Sequence, residues 1–445
     1  MRVAAGWRIS ARVAARSEAG STLVAVLALT TAVLLIGSAL FIMGVGESGV
    51  VEYTTDSARA FWLAEAGQER ARTWLEELAG EDPPVLPMDA SFDHQSLAGG
   101  EYGATITMQL GGNPWLAEYE VVSVGEVDGT IRQVRSLLRR ETFAQYVYSH
   151  DQSSDVSHTT GDSLYGPFHA NGHIRIDGDP WFGGRVTSSE NNMIIRSGSN
   201  PIFEAGYELG VAPVPFPDPA EVTATLSAQA ASGGLHLRSL PGNRGRYEIE
   251  LGRNGLTGYL SYRASPRPGR WTRWTHVDLS AINGIVWVEE DLLIHGTLDG
   301  DITIGSAGDI HIRNDMLYED AEPYAGPNPG CDDFLGLVAA QDVIVDMTAP
   351  NMRDCVIHGH VTALWMEFRA EGYNQGPPRG NLVVWGGIAQ ANTGPVGTFN
   401  RGIIEHGYAK RYHFDQRLMS KAPPGYPMTD RYILITWEDV WPPEL

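Results

Sequence analysis

The hydrophobic pattern divides the chain into three textures. From Ala19 to Gly46 no residue carries a charge, a run of 28 positions rich in Leu, Val and Ala. As a helix it would be about 42 Å long, more than the ~30 Å of a bilayer's hydrocarbon core. A cleaved secretory segment has a shorter apolar region, about 7–15 residues, although Gly44-Val45-Gly46 would serve as its cleavage site. Beyond Gly46 the pattern turns amphipathic without a break. "VEYTTDSARAFWLAEAGQERARTWLEELAG" contains no proline, and Gly80 supplies a stop. Phe61, Leu63, Ala64, Trp74, Leu75 and Leu78 make an apolar stripe, and Glu65, Glu69, Arg70, Arg72 and Glu76 the polar face. Glu65 and Glu69 repel one another, and pairs of Gln68 and Glu69 with Arg72 ease that repulsion. The pattern predicts one helix from about Ser21 to Leu78, near 87 Å long.

The second texture follows the linker "EDPPVLP" at 81–87. "YGATITMQL", "LAEYEVVSVGEV" and "TIRQVRSLLRRET" alternate with a period of two and predict a small antiparallel meander packed on the helix. Trp115 and Tyr119 are expected in its core or on the sheet face, not as ligands. From Tyr146 the third texture begins: short β-branched strands ended by Gly or Asp, repeated at one to two dozen residues. That rhythm fits a β-solenoid or parallel β-helix, with a β-sandwich as the alternative. The expected class is α+β, mainly β. The expected units are a helix at 21–80, a small sheet at 81–142 and a solenoid-like domain at 143–445, with an insertion at about 205–275.

Charge sharpens this picture. Arg2, Arg8, Arg12 and Arg16 against Glu18 give the first 20 residues +3, so the net −22 of the 445-residue chain leaves −25 on the rest. A basic leader, an apolar run and an acidic body predict a single crossing with the N-terminus cytoplasmic and the body outside. The acidic body argues against nucleic acid as a partner. Cys331 and Cys355 are candidates for one bridge outside the cytoplasm, or else two buried thiols.

A short basic leader ending in Gly20, a long apolar helix and "AFWLAEAGQERA" at Ala60–Ala71 resemble the N-terminus of type IV pilin-like proteins, in particular minor pilins of the PilX type. The resemblance implies a leader at 1–20, cut by a prepilin peptidase between Gly20 and Ser21, and a helix that anchors the subunit until it enters a filament. Its implied partners are other pilin-like subunits, the inner-membrane assembly machinery and membrane lipid. Major pilins of this family carry a glutamate at the fifth mature position, which here is Ala25. An N-terminal ammonium buried without a partner is costly, so Ala25 implies a place at the filament tip, where the head would be adhesive. "GDSLYGPFHANG" (161–172), "GLVAAQDVIV" (336–345), "GPPRGNLVVWGGIAQ" (376–390) and "PPGYP" (423–427) resemble an uncharacterised β-rich domain that recurs behind such helices.

No nucleophile elbow, phosphate loop or zincin motif occurs, and no catalytic residue or cofactor is expected. The candidate metal ligands are His169, Asn171, His173, His358 and His360, since residues two apart in a strand share a face. The competing expectation is polar side chains in turns and ladders. "IDGDP" (176–180) and "LDGDITIGSAGDI" (298–310) suggest calcium turns but lack the EF-hand spacing; Asp-Gly turns explain them as well. Trp181, Trp271, Trp274, Trp287, Trp365 and Trp385 could stack on a surface glycan or plug the core. The rival function is therefore an anchored β-helix that binds or cleaves envelope polysaccharide.

Overall fold

The computed structural model describes residues 18–79, 89–109, 118–153, 155–242, 245–255, 257–400 and 402–441. It is a long N-terminal helix followed by a large, mostly β body. Helix α1 runs unbroken from Glu18 to Ala79, 62 residues or about 93 Å. Its first half is exposed along its length: Leu23, Leu34, Phe41 and Val51 are all more than 60% exposed. Gly80 and the linker at 81–87 lie outside the described residues, as does Trp115.

The second half of α1 lies on a five-stranded antiparallel sheet. Its strands are β1 (Ala90–Leu97), β2 (Gly100–Gln109), β3 (Glu118–Val127), β4 (Thr130–Thr142) and β5 (Met428–Val440), in that spatial order. The helix meets the sheet through a narrow row of mostly small residues. Ala60, Ala64, Gly67, Ala71, Leu75 and Ala79 recur at helical spacing and are buried, whereas Phe61, Trp74 and Leu78 lie half-buried beside them. A Cβ on Gly125 of β3 would collide with the Ala60 carbonyl and the Ala64 amide nitrogen. A Cβ on Gly67 would collide with the Ser123 side chain. Gln68 points into the sheet instead of toward Arg72. Its Nε2 donates to the carbonyls of Val121 (3.1 Å) and Val134 (2.9 Å), and the Ser136 hydroxyl donates to its Oε1. Arg72 pairs with Glu69 at 2.8 Å, as the sequence suggests. Tyr119 is buried and meets Tyr432 of β5 edge to face.

β4 and β5 are neighbours in space, with Thr142 opposite Met428, so residues 143–427 form one excursion from a single sheet. The excursion is built on parallel ladders. One inward row can be followed through ten strands: Leu235, Val286, Ile304, Leu337, Val361, Ile388, Tyr148, Phe168, Val186 and Tyr207. A second row runs Leu251, Gly296, Met316, Ile357, Val384, Tyr412, Leu164, Phe182 and Phe203. A short third ladder carries His158, Ile176 and Ile195. The order of these rows is not the order of the chain. The chain enters in the middle at Tyr148, builds three further turns outward to Tyr207, then crosses to the far end. From Leu235 it builds back until Ile388 lies against Tyr148.

The crossing segment carries helix α2, Pro219–Ala231, capped by Asp218, whose carboxylate accepts from the Ala220 and Glu221 amides. The stretch expected as an insertion at 205–275 is thus partly ladder: Leu235–Leu237 and Arg246–Leu251 are parallel rungs. Only Thr257–Ser265 and Thr275–Asp278 fold back antiparallel. β5, expected within the solenoid-like unit, pairs with β4 of the small sheet.

Candidate functional site

Among the described residues one helix is long and apolar enough to cross a membrane, and it is α1. Gly20 and Ser21 fall in its first turn, and residues 1–17 lie outside the described residues. Ala25 is exposed on the bare half, like every described side chain from Thr22 to Glu47. Among the described residues nothing in the body covers this stretch, which leaves a long uncharged apolar surface bare. The family-like motif at Ala60–Ala71 has a physical role in the fold: its small residues bring the helix backbone down onto β3, and Gln68 fastens it there.

The histidines put forward as metal ligands are each held by protein partners. His358 accepts from the Tyr318 amide at Nδ1 (3.1 Å) and donates from Nε2 to the Pro323 carbonyl (3.1 Å). His360 donates from Nε2 to the Tyr146 carbonyl (3.0 Å), leaving Nδ1 to accept from the Tyr426 hydroxyl (2.6 Å). That hydroxyl is also 2.6 Å from Thr362. Burial pushes both rings well below the usual imidazole range, His358 to about 4 and His360 to about 3. His169 Nε2 donates to Asn171 Oδ1 at 2.8 Å, and His173 lies on Ser153 and Glu190. Among the described residues no three His, Cys, Asp or Glu side chains are placed to hold a metal ion together.

Asn171 has a different task. Its Oδ1 accepts from the Val214 amide (2.9 Å), and its Nδ2 donates to the Val214 carbonyl (2.7 Å) and to Asp151 (2.8 Å). Val214 lies where the chain leaves the outer turns for the crossing, so Asn171 clasps the crossover. Asp162, in the same 161–172 motif, is buried beside Lys410 at 3.4 Å and accepts from the Thr159 and Lys410 amides. This pair joins the last long ladder strand to the first turns. Tyr426 of "PPGYP" fastens the returning chain to the ladder through His360 and Thr362. Two of the four motifs singled out by resemblance, 161–172 and 423–427, therefore lie at splice points of the fold.

The acidic turns hold backbone. Asp309 Oδ1 accepts from the Asp342 amide (3.0 Å), Asp291 accepts from the Asp309 amide (3.1 Å), and Asp342 accepts from the Glu367 amide (3.0 Å). Each carboxylate satisfies a corner N–H on an adjoining turn. Asp179 does the same for Asn200 (2.7 Å), while Asp177 pairs with Arg196 and Asp301 with Lys421. These contacts give the carboxylates of "IDGDP" and "LDGDITIGSAGDI" roles in turn chemistry. Cys331 and Cys355 are buried free thiols, so the bridge between them is not formed. Burial pushes both thiols up, which keeps them protonated and unreactive.

The tryptophans serve the fold in most cases. Trp287 is 2% exposed and lies over Gly305. Trp271 and Trp274 clamp the Arg263 guanidinium from 4.6 and 4.4 Å, and Glu248 neutralises it. Trp385, His413, Tyr165 and Trp181 form an outer ladder with 4.4 Å between successive rings. A ring so stacked has spent its faces on its neighbours, which leaves a sugar ring little open face. Trp365 alone of the six is more than half exposed.

A family model described as a domain of unknown function, DUF4900, matches residues 101–190, from β2 into the first parallel turns. No curated protein matches the sequence. Among solved structures, the competence-associated pilin ComZ from Thermus thermophilus aligns over 86% of this chain and 98% of its own, at 13% identity and a TM-score of 0.36. A likeness at that score fixes neither fold nor role.

Proposed function

We propose that this chain is a membrane-anchored, pilin-like subunit with a structural role: starting or capping a type IV pilus or a related secretion filament. The observation that carries the reading is α1 itself. One unbroken helix has a bare, uncharged half long enough to span a bilayer, and a second half seated on a small sheet through the Ala60–Ala71 motif. A plain anchor needs only the first half and does not need to be rigidly continuous with the head. Cleavage after Gly20 by a prepilin peptidase would leave Ser21 as the first residue, with the leader's arginines lost to the cytoplasm. The head, which we read as a β-solenoid carried on a pilin-like sheet, then stands outside the inner membrane and, after assembly, at the cell surface. Ala25 supports an end position, because it offers no carboxylate to a neighbour's buried ammonium.

The test is the mature N-terminus of the full chain recovered from its own membranes. Intact-mass and terminal-peptide spectrometry should find Ser21 first, with or without a methyl group on its amine. A chain that still begins at Met1, or one cut after Gly46, would remove the pilin-like reading. The first result would leave a plain anchor and the second a secreted head.

A further inference from the structure

The ladders finish differently at their two ends. At the Arg246–Asn254 end the chain folds Thr257–Ser265 back antiparallel, and the inward side chains Tyr247, Ile249, Leu251 and Leu260 are buried. At the other end Ile194–Ile195, Ile202–Phe203 and Tyr207–Leu209 each pair with only one neighbour among the described strands. Three backbone edges therefore face outward on three sides of one turn. The inward rows emerge into solvent there. Tyr148, Phe168 and Val186 are at most 1% exposed, yet Tyr207, next in that row, is 55% exposed. Ile176 is 1% exposed and its successor Ile195 is 45% exposed, while Ile202 on the outer side is 51% exposed. A stacked fold needs a polar capping turn for solubility, and an open strand edge is a template for pairing. This end has the edge and lacks the cap.

We propose that this terminal turn is an interface, and that its occupant is a second copy of this chain stacked end to end about a two-fold axis. Backbone geometry supports that occupant. The free N–H and C=O groups point along the stack on all three sides, so a single added strand would satisfy one side and leave two open. A second terminal turn has the same three-sided outline. A two-fold axis lets one edge pair with its own copy while the other two exchange. The two-residue edges Ile194–Ile195 and Ile202–Phe203 are matched for exchange, and Tyr207–Leu209 pairs with itself.

Charge supports the same choice. The chain carries −22 overall, and two copies repel through most faces. On this turn Glu208 is tied to Arg185 at 2.7 Å and Arg196 to Asp177 at 2.7 Å, both on the preceding turn, and Glu190 lies 3.5 Å from His173. Of the charged side chains at 189–211 this leaves Glu204, and Glu190 whenever His173 is neutral, without an ion pair among the described residues, so the meeting faces bring few unbalanced charges together.

The experiment uses the full chain in detergent micelles, since α1 is bare. Density-matched sedimentation should give a concentration-dependent dimer. Hydrogen exchange should show the amides of residues 207–209 protected in step with dimer formation. The double variant Ile195→Lys/Tyr207→Glu, at positions already exposed, should lose both the dimer and that protection while keeping its circular dichroism and thermal midpoint. Tyr207→Phe should keep both. Three results would overturn the proposal. One is a monomer at every concentration. Another is a dimer that survives the double variant, which would place the contact on α1 or elsewhere. The third is a monomer whose 207–209 amides are already protected, which would mean that another segment of this chain covers the turn.

Discussion

His360 shows how a polar residue can sit inside a parallel ladder without cost to its neighbours. Both ring nitrogens are used, one donating and one accepting, which fixes the neutral tautomer. In the unfolded chain the ring has its ordinary value near 6.5, and in the fold it lies near 3. Below about 6.5 the unfolded state therefore takes up a proton that the native state refuses, and stability falls as pH drops from that point toward about 3. Above 6.5 both states are neutral and nothing is lost. His150 and His358, each near 4, add slope in the same direction. His360→Gln, which keeps a donor and an acceptor, should show a shallower fall of thermal midpoint between pH 6.5 and 4 than the parent chain. Equal slopes would mean that the ring is protonated in the fold. The identity of these residues is plain in the sequence, but their use is not: His-x-His reads equally as a ligand pair or as a ladder position, and only the registry of distant strands separates the two.

At the scale of elements, the decisive contact is between α1 and β3. The sequence shows the amphipathic helix and the alternating strands, because both signals are local periodicities. It suggests a stripe of Phe61, Leu63, Ala64, Trp74, Leu75 and Leu78; the structure buries Leu63, Ala64 and Leu75 of these with the small Ala60, Gly67 and Ala71, and sets Phe61 and Trp74 to the sides. The reason is Gly125. A glycine in the middle of a strand reads as a weakness until the helix that rests on it is known. The two close approaches differ in what gives way, and this makes a prediction. Gly125→Ala meets backbone atoms of Ala60 and Ala64, which cannot move without lifting the helix, and should cost upward of about 3 kcal/mol, at or beyond the usual overpacking range. Gly67→Ala meets only side chains, the Ser123 hydroxyl above all and the Tyr102 ring at 3.3 Å, and Gly67→Ala with Ser123→Ala should recover a large part of its smaller loss. Denaturation midpoints of the three variants check this. Equal losses for the two glycines would show that the helix is free to shift on the sheet.

At the scale of the molecule, what the sequence conceals is order. Short strands and Asp-Gly corners announce a stacked β body, and their spacing was legible. That Tyr148 should sit beside Ile388, or that β5 should close a sheet begun by β1, leaves no local mark. Asp162 and Lys410 hold the neighbouring joint, Tyr412 against Leu164, and are 3% and 5% exposed. Lys410→Met leaves a buried carboxylate with two backbone donors but no cation, and should cost about 3 kcal/mol. Asp162→Asn added to it should return part of that cost, measured as a coupling energy in a double-mutant cycle. Additive losses would mean that the pair is not a unit. The pairing of Thr142 with Met428 spans 286 positions, and closing a loop of that length costs roughly 5 kcal/mol of chain entropy. During synthesis the helix and four strands emerge first, and the fifth arrives only after the whole excursion. An unfinished chain therefore keeps an open edge at β4 beside the very sheet that seats the helix. Completion of the polypeptide is thereby written into the platform at its base, and a quality-control protease that recognises unpaired strands could tell a truncated copy from a finished one without inspecting the head.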